Sequence, residues 1–151
     1  MTETRVLRGD DPAAVALLAA MEAEVEATLG PVTPERTSVV SAAEMSPPGG
    51  AYVVVVEDGA TVAGGGLRKL RDGVAEIKRM YTLPSARGRG HGRRLLAGLE
   101  DAARALGYAR VRLDTAEAMA PALALYRDAG YVEIPDYNGN GYAAFWGEKR
   151  L

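Results

Sequence analysis

The segment 74–94, VAEIKRMYTLPSARGRGHGRR, constrains the fold most, because a strand pattern runs into a glycine-rich turn at which a helix begins. Gly88, Gly90 and Gly92 lie in this turn, and glycines let the backbone approach a ligand and point N–H groups at it. A helix N-terminus adds roughly half a positive charge. A strand, a glycine turn and a helix in this order therefore predict an anion site, usually for phosphate.

Four arginines surround the same turn, namely Arg87, Arg89, Arg93 and Arg94. Their guanidinium groups suit phosphate oxygens. A single Gly-x-Gly would favour a tight turn with solvated arginines, but three glycines with four arginines favour phosphate binding. The letters RGRGHGRR also resemble a nucleic-acid-binding segment, yet they lack interleaved aromatic residues and lie where a helix must begin.

Two common phosphate motifs do not fit. A P-loop requires a lysine before Ser or Thr, and the turn has none. In the dinucleotide fingerprint G-x-G-x-x-G, Gly88 and Gly90 match, and Asp114 has the spacing of a ribose-binding acid. The third glycine, however, would fall on Arg93, and no second βαβαβ half follows. Nicotinamide binding is therefore disfavoured.

Composition narrows the chemistry. The 151 residues include no cysteine and one histidine, which excludes disulfides and thiolate catalysis and predicts no metal site. The 18 basic and 20 acidic side chains give a net charge of −2, so nothing draws the whole chain to nucleic acid or an anionic membrane. No apolar run approaches the roughly 20 residues that span a bilayer. We expect one cytoplasmic domain over residues 1–151.

Hydrophobic patterning predicts an α/β fold with a mixed sheet: an antiparallel meander, then β-α-β-α-β, with helices on both faces. Asp10 or Asp11 should cap the first helix, and the run 64–66 of three glycines indicates a bulge or a close backbone approach. The predicted elements are strand 4–7, helix 12–29, a weaker helix 32–45, strands 51–57, 60–70 and 74–82, helix 92–106, strand 110–114, helix 118–129, and strands 131–134 and 142–148.

Two motifs carry a family resemblance. R-x-x-G-x-G, present as Arg87, Gly90 and Gly92 and followed by two leucines, resembles the acetyl-CoA motif of the GCN5-related N-acetyltransferase (GNAT) superfamily. Further on, residues 122–131, ALALYRDAGY, resemble that family's A-x-x-L-Y-x-x-x-G-[FY] motif. The likeness is good over residues 51–134. One departure is Met119, which replaces an asparagine often found there and leaves that contact to the cofactor in doubt.

The resemblance implies acetyl-CoA as co-substrate and no metal. The turn would wrap the pyrophosphate, with His91 contributing its backbone N–H, and the end of the preceding strand would pair with the pantetheine amides through its main chain. The residues so implied are Met80, Tyr81, Thr82, Arg87, Gly88, Arg89, Gly90, His91, Gly92 and Arg93.

Two catalytic residues are implied as well. Glu76 resembles the general-base glutamate of the histone-acetylating branch; alternatively it pairs with a cross-strand arginine or with Lys78. By the period of two it should share a face with Lys78, Met80 and Thr82. Tyr126 matches the tyrosine that protonates or hydrogen-bonds the CoA sulfur; alternatively it is a core aromatic.

We therefore expect an acyl-CoA-dependent N-acyltransferase that moves acetyl directly to a small amine. The alternative is a non-catalytic acyl-CoA-binding or sensor domain, which Met119 favours slightly. Homodimers are common in the family. The acceptor should be chosen by residues 30–50 and 135–142, where the candidate pocket walls are Tyr137, Asn138, Tyr142 and Trp146.

Overall fold

The computed structural model describes residues 1–31, 40–116 and 120–151. Within these ranges, no helix has the length and apolar character needed to cross a membrane. A single turn of 3-10 helix, Pro84–Ala86, precedes the second α-helix. The elements are β1 (Thr2–Leu7), α1 (Pro12–Leu29), β2 (Ala51–Glu57), β3 (Ala60–Arg71), β4 (Val74–Thr82), α2 (His91–Ala105), β5 (Arg110–Ala116), α3 (Ala120–Asp128), β6 (Val132–Glu133) and β7 (Ala143–Arg150).

All seven strands form one sheet in the order β1-β2-β3-β4-β5-β7-β6. The first four strands pair antiparallel in sequence order, whereas β4 and β5 are parallel. Strand β7 lies antiparallel between β5 and β6. The predicted mixed sheet, a meander followed by an α/β part, is confirmed.

Strand β2 shows why helices cover both faces. Its residues 51–56 are all buried, and alternate side chains of a strand point to opposite faces. The even-numbered side chains pack with Ala14 and Leu17 of α1. The odd-numbered ones, Val53 and Val55, pack with the leucines of α2. A continuous apolar run is thus required here, because neither face meets water.

Local signals fix the ends of α1. The Asp11 side chain accepts a hydrogen bond from the Ala13 N–H at 2.9 Å, so of the two candidate caps Asp11 is the one used. Pro12 occupies the first turn, and Gly30, with φ of 75°, ends the helix. The predicted helix 12–29 is confirmed.

The predicted helix 32–45 is not found where it can be tested. Residues 32–39 lie outside the described residues, and residues 40–45 are not helical, with a turn at 42–45. The Ser41 hydroxyl accepts from the Glu44 N–H at 3.1 Å, and the Glu44 carboxylate accepts from the Ser41 N–H at 3.2 Å. This reciprocal pair is typical of the start of a helical turn, so a new turn begins at Ser41 instead of continuing an earlier helix. Two prolines follow at positions 47 and 48, and they oppose any continuation of a helix.

At the glycine run 64–66, the backbone of β3 lies close to neighbouring side chains, as predicted. A Cβ on Gly64 would lie 2.6 Å from the Tyr52 hydroxyl and 2.7 Å from Leu17 Cδ1. A Cβ on Gly65 would lie 3.1 Å from both Leu99 Cδ1 and Met80 Cγ on the opposite face. Glycine is needed because side chains on both faces of the sheet lie too close to this strand to leave room for a Cβ.

Candidate functional site

The two central parallel strands separate after the first three residues of β4. Residues 74–76 pair with residues 110–112 of β5, and the pairing in the described structure goes no further. Beyond it, β5 continues beside β7. We call the space between residues 77–82 of β4 and residues 113–116 of β5 the strand opening. Backbone groups on this edge of β4 are left for a ligand or water to satisfy.

A β-bulge lies at the start of the strand opening. Arg79 has φ of 61°, in the left-handed region. At this point the register against β3 shifts, so that Arg79 and Met80 together oppose Gly65. A bulge bends its strand and increases the twist. We attribute the departure of β4 from β5 to this bend.

The bulge corrects one expectation from the sequence. Before it, Ala75 and Ile77 pack against the α2 side of the sheet, while Glu76 faces the other way. After it, Met80 packs on the α2 side and Tyr81 joins the cluster under α1. The prediction that Met80 shares a face with Glu76 is wrong, because one inserted residue reverses the alternation.

The glycine turn connects the strand opening to α2. Gly88 and Gly90 have φ of 81° and 80°, and Gly90 caps α2. The first-turn N–H groups of a helix, here those of residues 91–93, have no partner within it. Within the described residues, a Cβ on Gly88 or Gly90 would meet nothing within 4 Å. The turn thus leaves open space beside the N-terminus of α2, a position at which the helix dipole favours an anion.

The arginines of the turn are held by acidic residues from other elements. Arg87 contacts Glu24 of α1 at 2.7 Å and donates from Nε to the Thr82 carbonyl at 3.0 Å. Arg89 contacts Glu57 of β2 at 2.7 Å. These pairs are partly exposed, and exposed pairs exchange partners at little cost. Both guanidinium groups therefore stay partly exposed at the turn, each beside one carboxylate.

His91 is buried at the N-terminus of α2, with 2% of its surface exposed. Its Nε2 lies 3.0 Å from a Glu57 carboxylate oxygen, but neither ring nitrogen makes a hydrogen bond within the described residues. The imidazole therefore points into the protein, and what His91 presents at the turn is its backbone N–H.

Tyr126 of α3 places its hydroxyl at the strand opening. It donates to Met80 Sδ at 3.6 Å, and its ring packs edge-on against Tyr131. Burial and, to a smaller extent, the negative charge of Asp114 on β5 raise the pKa of Tyr126 to about 12. The hydroxyl therefore keeps its proton at neutral pH and is a hydrogen-bond donor. Met119 lies outside the described residues.

Glu76 is fully buried, and its carboxylate accepts from three side chains. Oε1 lies 2.8 Å from both Nε and Nη2 of Arg68, which stands opposite it on β3. Oε2 accepts from the Tyr137 hydroxyl at 2.6 Å and from Asn138 Nδ2 at 3.2 Å. Lys78 Nζ lies 4.0 Å from Oε2. The cross-strand arginine pair is thus present, and the general-base role stays a prediction.

Asp114 gathers a second set of contacts on the same face. Its Oδ2 accepts from Asn138 Nδ2 at 2.6 Å and from Asn140 Nδ2 at 3.2 Å, and its Oδ1 lies 3.7 Å from Lys78 Nζ. Asn138 Oδ1 accepts in turn from Trp146 Nε1 at 3.0 Å. Three of the four candidate wall residues, Tyr137, Asn138 and Trp146, therefore meet beside the strand opening.

Sequence reasoning anticipated a cross-strand arginine for Glu76 without identifying Arg68, and it missed the pairing role of Asp114. A two-residue turn at 72–73 with regular pairing would set Lys69 opposite Glu76, but an irregularity between Lys69 and Arg71 moves Arg68 there. For Asp114, the sequence indicated a place at the end of a strand but not the partners of its side chain. Burial and the Glu76 carboxylate also raise the pKa of Tyr137.

An opening beside β4, a glycine turn at a helix N-terminus and a buried tyrosine lie together in this fold. The chain belongs to the acetyltransferase (GNAT) family, whose model matches residues 17–131. It is 38% identical over 95 residues to the uncharacterized N-acetyltransferase YjgM of Escherichia coli (strain K12), covering 61% of this chain and 56% of that relative. It is 34% identical over 112 residues to the IAA acetyltransferase of Azospirillum brasilense, covering 73% of each.

Solved structures share the whole fold. A Klebsiella pneumoniae protein, provisionally assigned as an acyl-CoA N-acyltransferase, has a TM-score of 0.75 and 26% identity, covering 100% of this chain and 98% of that one. The PaiA N-acetyltransferase of Thermoplasma acidophilum, in complex with coenzyme A, has a TM-score of 0.73 and 19% identity, covering 100% and 99%. Structures with this fold thus include one that binds coenzyme A.

Proposed function

We propose that this chain is an acetyltransferase that uses acetyl-CoA and transfers the acetyl group directly to a small primary or secondary amine. The observation that carries the proposal is the continuity between the strand opening and the glycine turn. An extended ligand lying along residues 77–82 would place an anionic end at the N-terminus of α2. Acetyl-CoA supplies an acetyl group activated as a thioester, on a long arm that ends in pyrophosphate.

The residues present fit this ligand. The first-turn N–H groups of α2 suit pyrophosphate oxygens, and Arg87 and Arg89 add charge at the same turn. The backbone of Met80, Tyr81 and Thr82 borders the strand opening, where β5 has left the edge of β4. Main-chain groups there suit the amides of the arm, as strand edges generally do.

Tyr126 has the protonation state for a donor to the departing sulfur. Its pKa is raised to about 12, whereas an ordinary thiol has a pKa of about 8.5. The Tyr126 hydroxyl therefore holds its proton more tightly than the thiol does. Full proton transfer to a thiolate is therefore uphill. In this proposal the Tyr126 hydroxyl stabilises the sulfur by hydrogen bonding and keeps its proton.

The charges beside the strand opening favour a small acceptor. The carboxylate of Glu76 is paired with Arg68, and that of Asp114 lies near Lys78. A face whose acidic groups are already balanced offers little attraction to a basic protein tail. Whether Glu76 also acts as a general base is a prediction separate from its contacts, and the variants described below test it.

The direct test measures thiol release from acetyl-CoA across a panel of small amines and a histone-like basic peptide. The chain has no cysteine, so the protein contributes no thiol to the signal. Reactions without acceptor give the hydrolysis background. Faster release with at least one small amine than with the peptide supports the proposal, and the opposite order refutes the small acceptor. Coenzyme A binding without turnover on any acceptor would favour the sensor alternative.

A further inference from the structure

One side chain joins β4 and β5 at the point where their backbones stop pairing. Glu76 is the last described β4 residue in register with β5, and its partner there is Arg112. Asp114 lies two residues further along β5, on the same face. Asn138 Nδ2 donates to Glu76 Oε2 at 3.2 Å and to Asp114 Oδ2 at 2.6 Å. The amide of Asn138 therefore bridges the two strands at the start of the strand opening.

The orientation of the Asn138 amide is determined by its surroundings. Its Oδ1 accepts from Trp146 Nε1 at 3.0 Å and from the Asn140 N–H at 3.1 Å. Both are donors, so the oxygen must face them and the nitrogen must face the two carboxylates. The Asn138 backbone N–H in turn donates to Asp136 Oδ1 at 3.0 Å. The contacts leave one consistent arrangement of the loop.

The contacts of Glu76 suit an anchor better than a base. Arg68 occupies one carboxylate oxygen, while Tyr137 and Asn138 occupy the other. The side chain is fully buried. Hydrogen bonds to a charged partner are shorter and stronger than neutral ones, and a satisfied buried network is rigid. Protonating this carboxylate would weaken each of these bonds.

We propose that Glu76 and Asp114 are positioning residues that hold loop 136–140 across the strand opening through Asn138, and that the loop held in this way determines how the acceptor binds. This inference rests on the proposed function, because it assigns the acceptor side of the same site. It differs from the general-base prediction for Glu76 in its expectation for Asn138, which cannot titrate. Only the positioning role predicts that loss of the Asn138 side chain weakens acceptor binding.

The test compares Asn138→Ala and Glu76→Gln with wild type, using one small amine that wild type acetylates, at about pH 6 to 9. We expect both variants to raise the acceptor KM by roughly tenfold or more, as loss of a hydrogen bond to a charged group predicts. The ratio to wild type should not change with pH. Affinity for coenzyme A, measured by calorimetry, should be unchanged in both.

Arg110→Gln is the matched control. Arg110 lies on β5, on the same face as Asp114, and forms a partly exposed pair with Glu148 at 3.4 Å. Exposed pairs contribute little, so the acceptor KM should change by less than about twofold. A change as large as that of Asn138→Ala would show that any loss of charge or polarity on this face has the same effect, and would refute the specific role of Asn138.

An exchange of partners gives the second test. Asn138→Asp alone places a third carboxylate beside those of Glu76 and Asp114. Adding Asp114→Asn replaces one of the three by an amide that can donate to the new aspartate. The acceptor KM of the double variant should be nearer wild type than that of Asn138→Asp. Independent effects of the two changes would contradict the bridge.

The outcomes also separate the inference from the proposed function. A wild-type acceptor KM in Asn138→Ala, together with a Glu76→Gln loss that shrinks as pH rises toward the amine's pKa, would overturn the positioning role and support a general base. Absence of coenzyme A binding in wild-type protein would instead overturn the proposed function itself.

Discussion

Replacing Gly90 by valine tests coenzyme A binding at the glycine turn. The test must separate the backbone strain of a valine at positive φ from obstruction of the pyrophosphate by its side chain. Gly90 has φ of 80°, and Gly107, just beyond the other end of α2, has φ of 89°. Within the described residues, a Cβ at either glycine meets nothing within 4 Å. The two positions therefore impose the same backbone strain and differ in what lies beside them. Gly107→Val is the control for Gly90→Val.

The magnitude follows from the backbone angles. A non-glycine residue in the left-handed region costs roughly 1–2 kcal/mol, with a β-branched side chain at the upper end. For a chain of this size each kcal/mol lowers Tm by about 2–4 °C. Both variants should thus be folded and lose several degrees. The 15 residues of α2 separate the sites by roughly 22 Å, so only Gly90→Val should obstruct pyrophosphate.

Thermal unfolding and calorimetry with coenzyme A together form the assay. We expect similar losses of Tm in the two variants, wild-type affinity in Gly107→Val, and an affinity lower by roughly tenfold or more in Gly90→Val, the equivalent of about 1.4 kcal/mol. Folded Gly90→Val protein with the affinity of Gly107→Val would refute the assignment of the pyrophosphate to this turn.

Two further predictions concern buried hydroxyls. Tyr126→Phe should lower kcat by roughly 10- to 100-fold, the loss of one hydrogen bond to a charged group. Because the pKa is raised to about 12, the hydroxyl is protonated throughout pH 6 to 9, so this deficit should be constant with pH; a deficit that grows toward alkaline pH would contradict it. The Tyr52 hydroxyl has no hydrogen-bond partner among the described residues, so Tyr52→Phe should raise the free energy of unfolding by about 1 kcal/mol. Chemical denaturation checks this prediction, and a lower free energy of unfolding in Tyr52→Phe would contradict it.

The glycine turn could be predicted from the sequence because residue identity carries its geometry. Gly88 and Gly90 adopt positive φ, which glycine alone adopts readily, and an apolar strand before them and a leucine-rich helix after them fix the order of elements. The covered faces of β2 were predictable for a similar reason, since only a strand buried on both sides tolerates an uninterrupted apolar run.

The acceptor side could not be predicted in the same way, because its contacts depend on irregular pairing. Arg68 faces Glu76 only because the hairpin register shifts near its turn. Asn138 reaches Glu76 and Asp114 across sequence separations of 62 and 24 residues. Neither distance leaves a local pattern, so the sequence indicated the loop as a candidate wall without indicating what anchors it.

The bulge at Arg79 connects these two halves of the site. Regular alternation would have turned Met80 toward Glu76 and away from α3. The inserted residue instead sets Met80 against the Tyr126 hydroxyl and turns Tyr81 toward α1, where the Arg87 guanidinium lies 5.6 Å from its ring centre. Arg79 holds φ of 61° without being glycine, and such strain persists only where the surrounding structure over-determines it. Here the antiparallel pairing with β3 on both sides of the bulge supplies that constraint, so the strand opening and the approach of Tyr126 to it arise from the same irregularity.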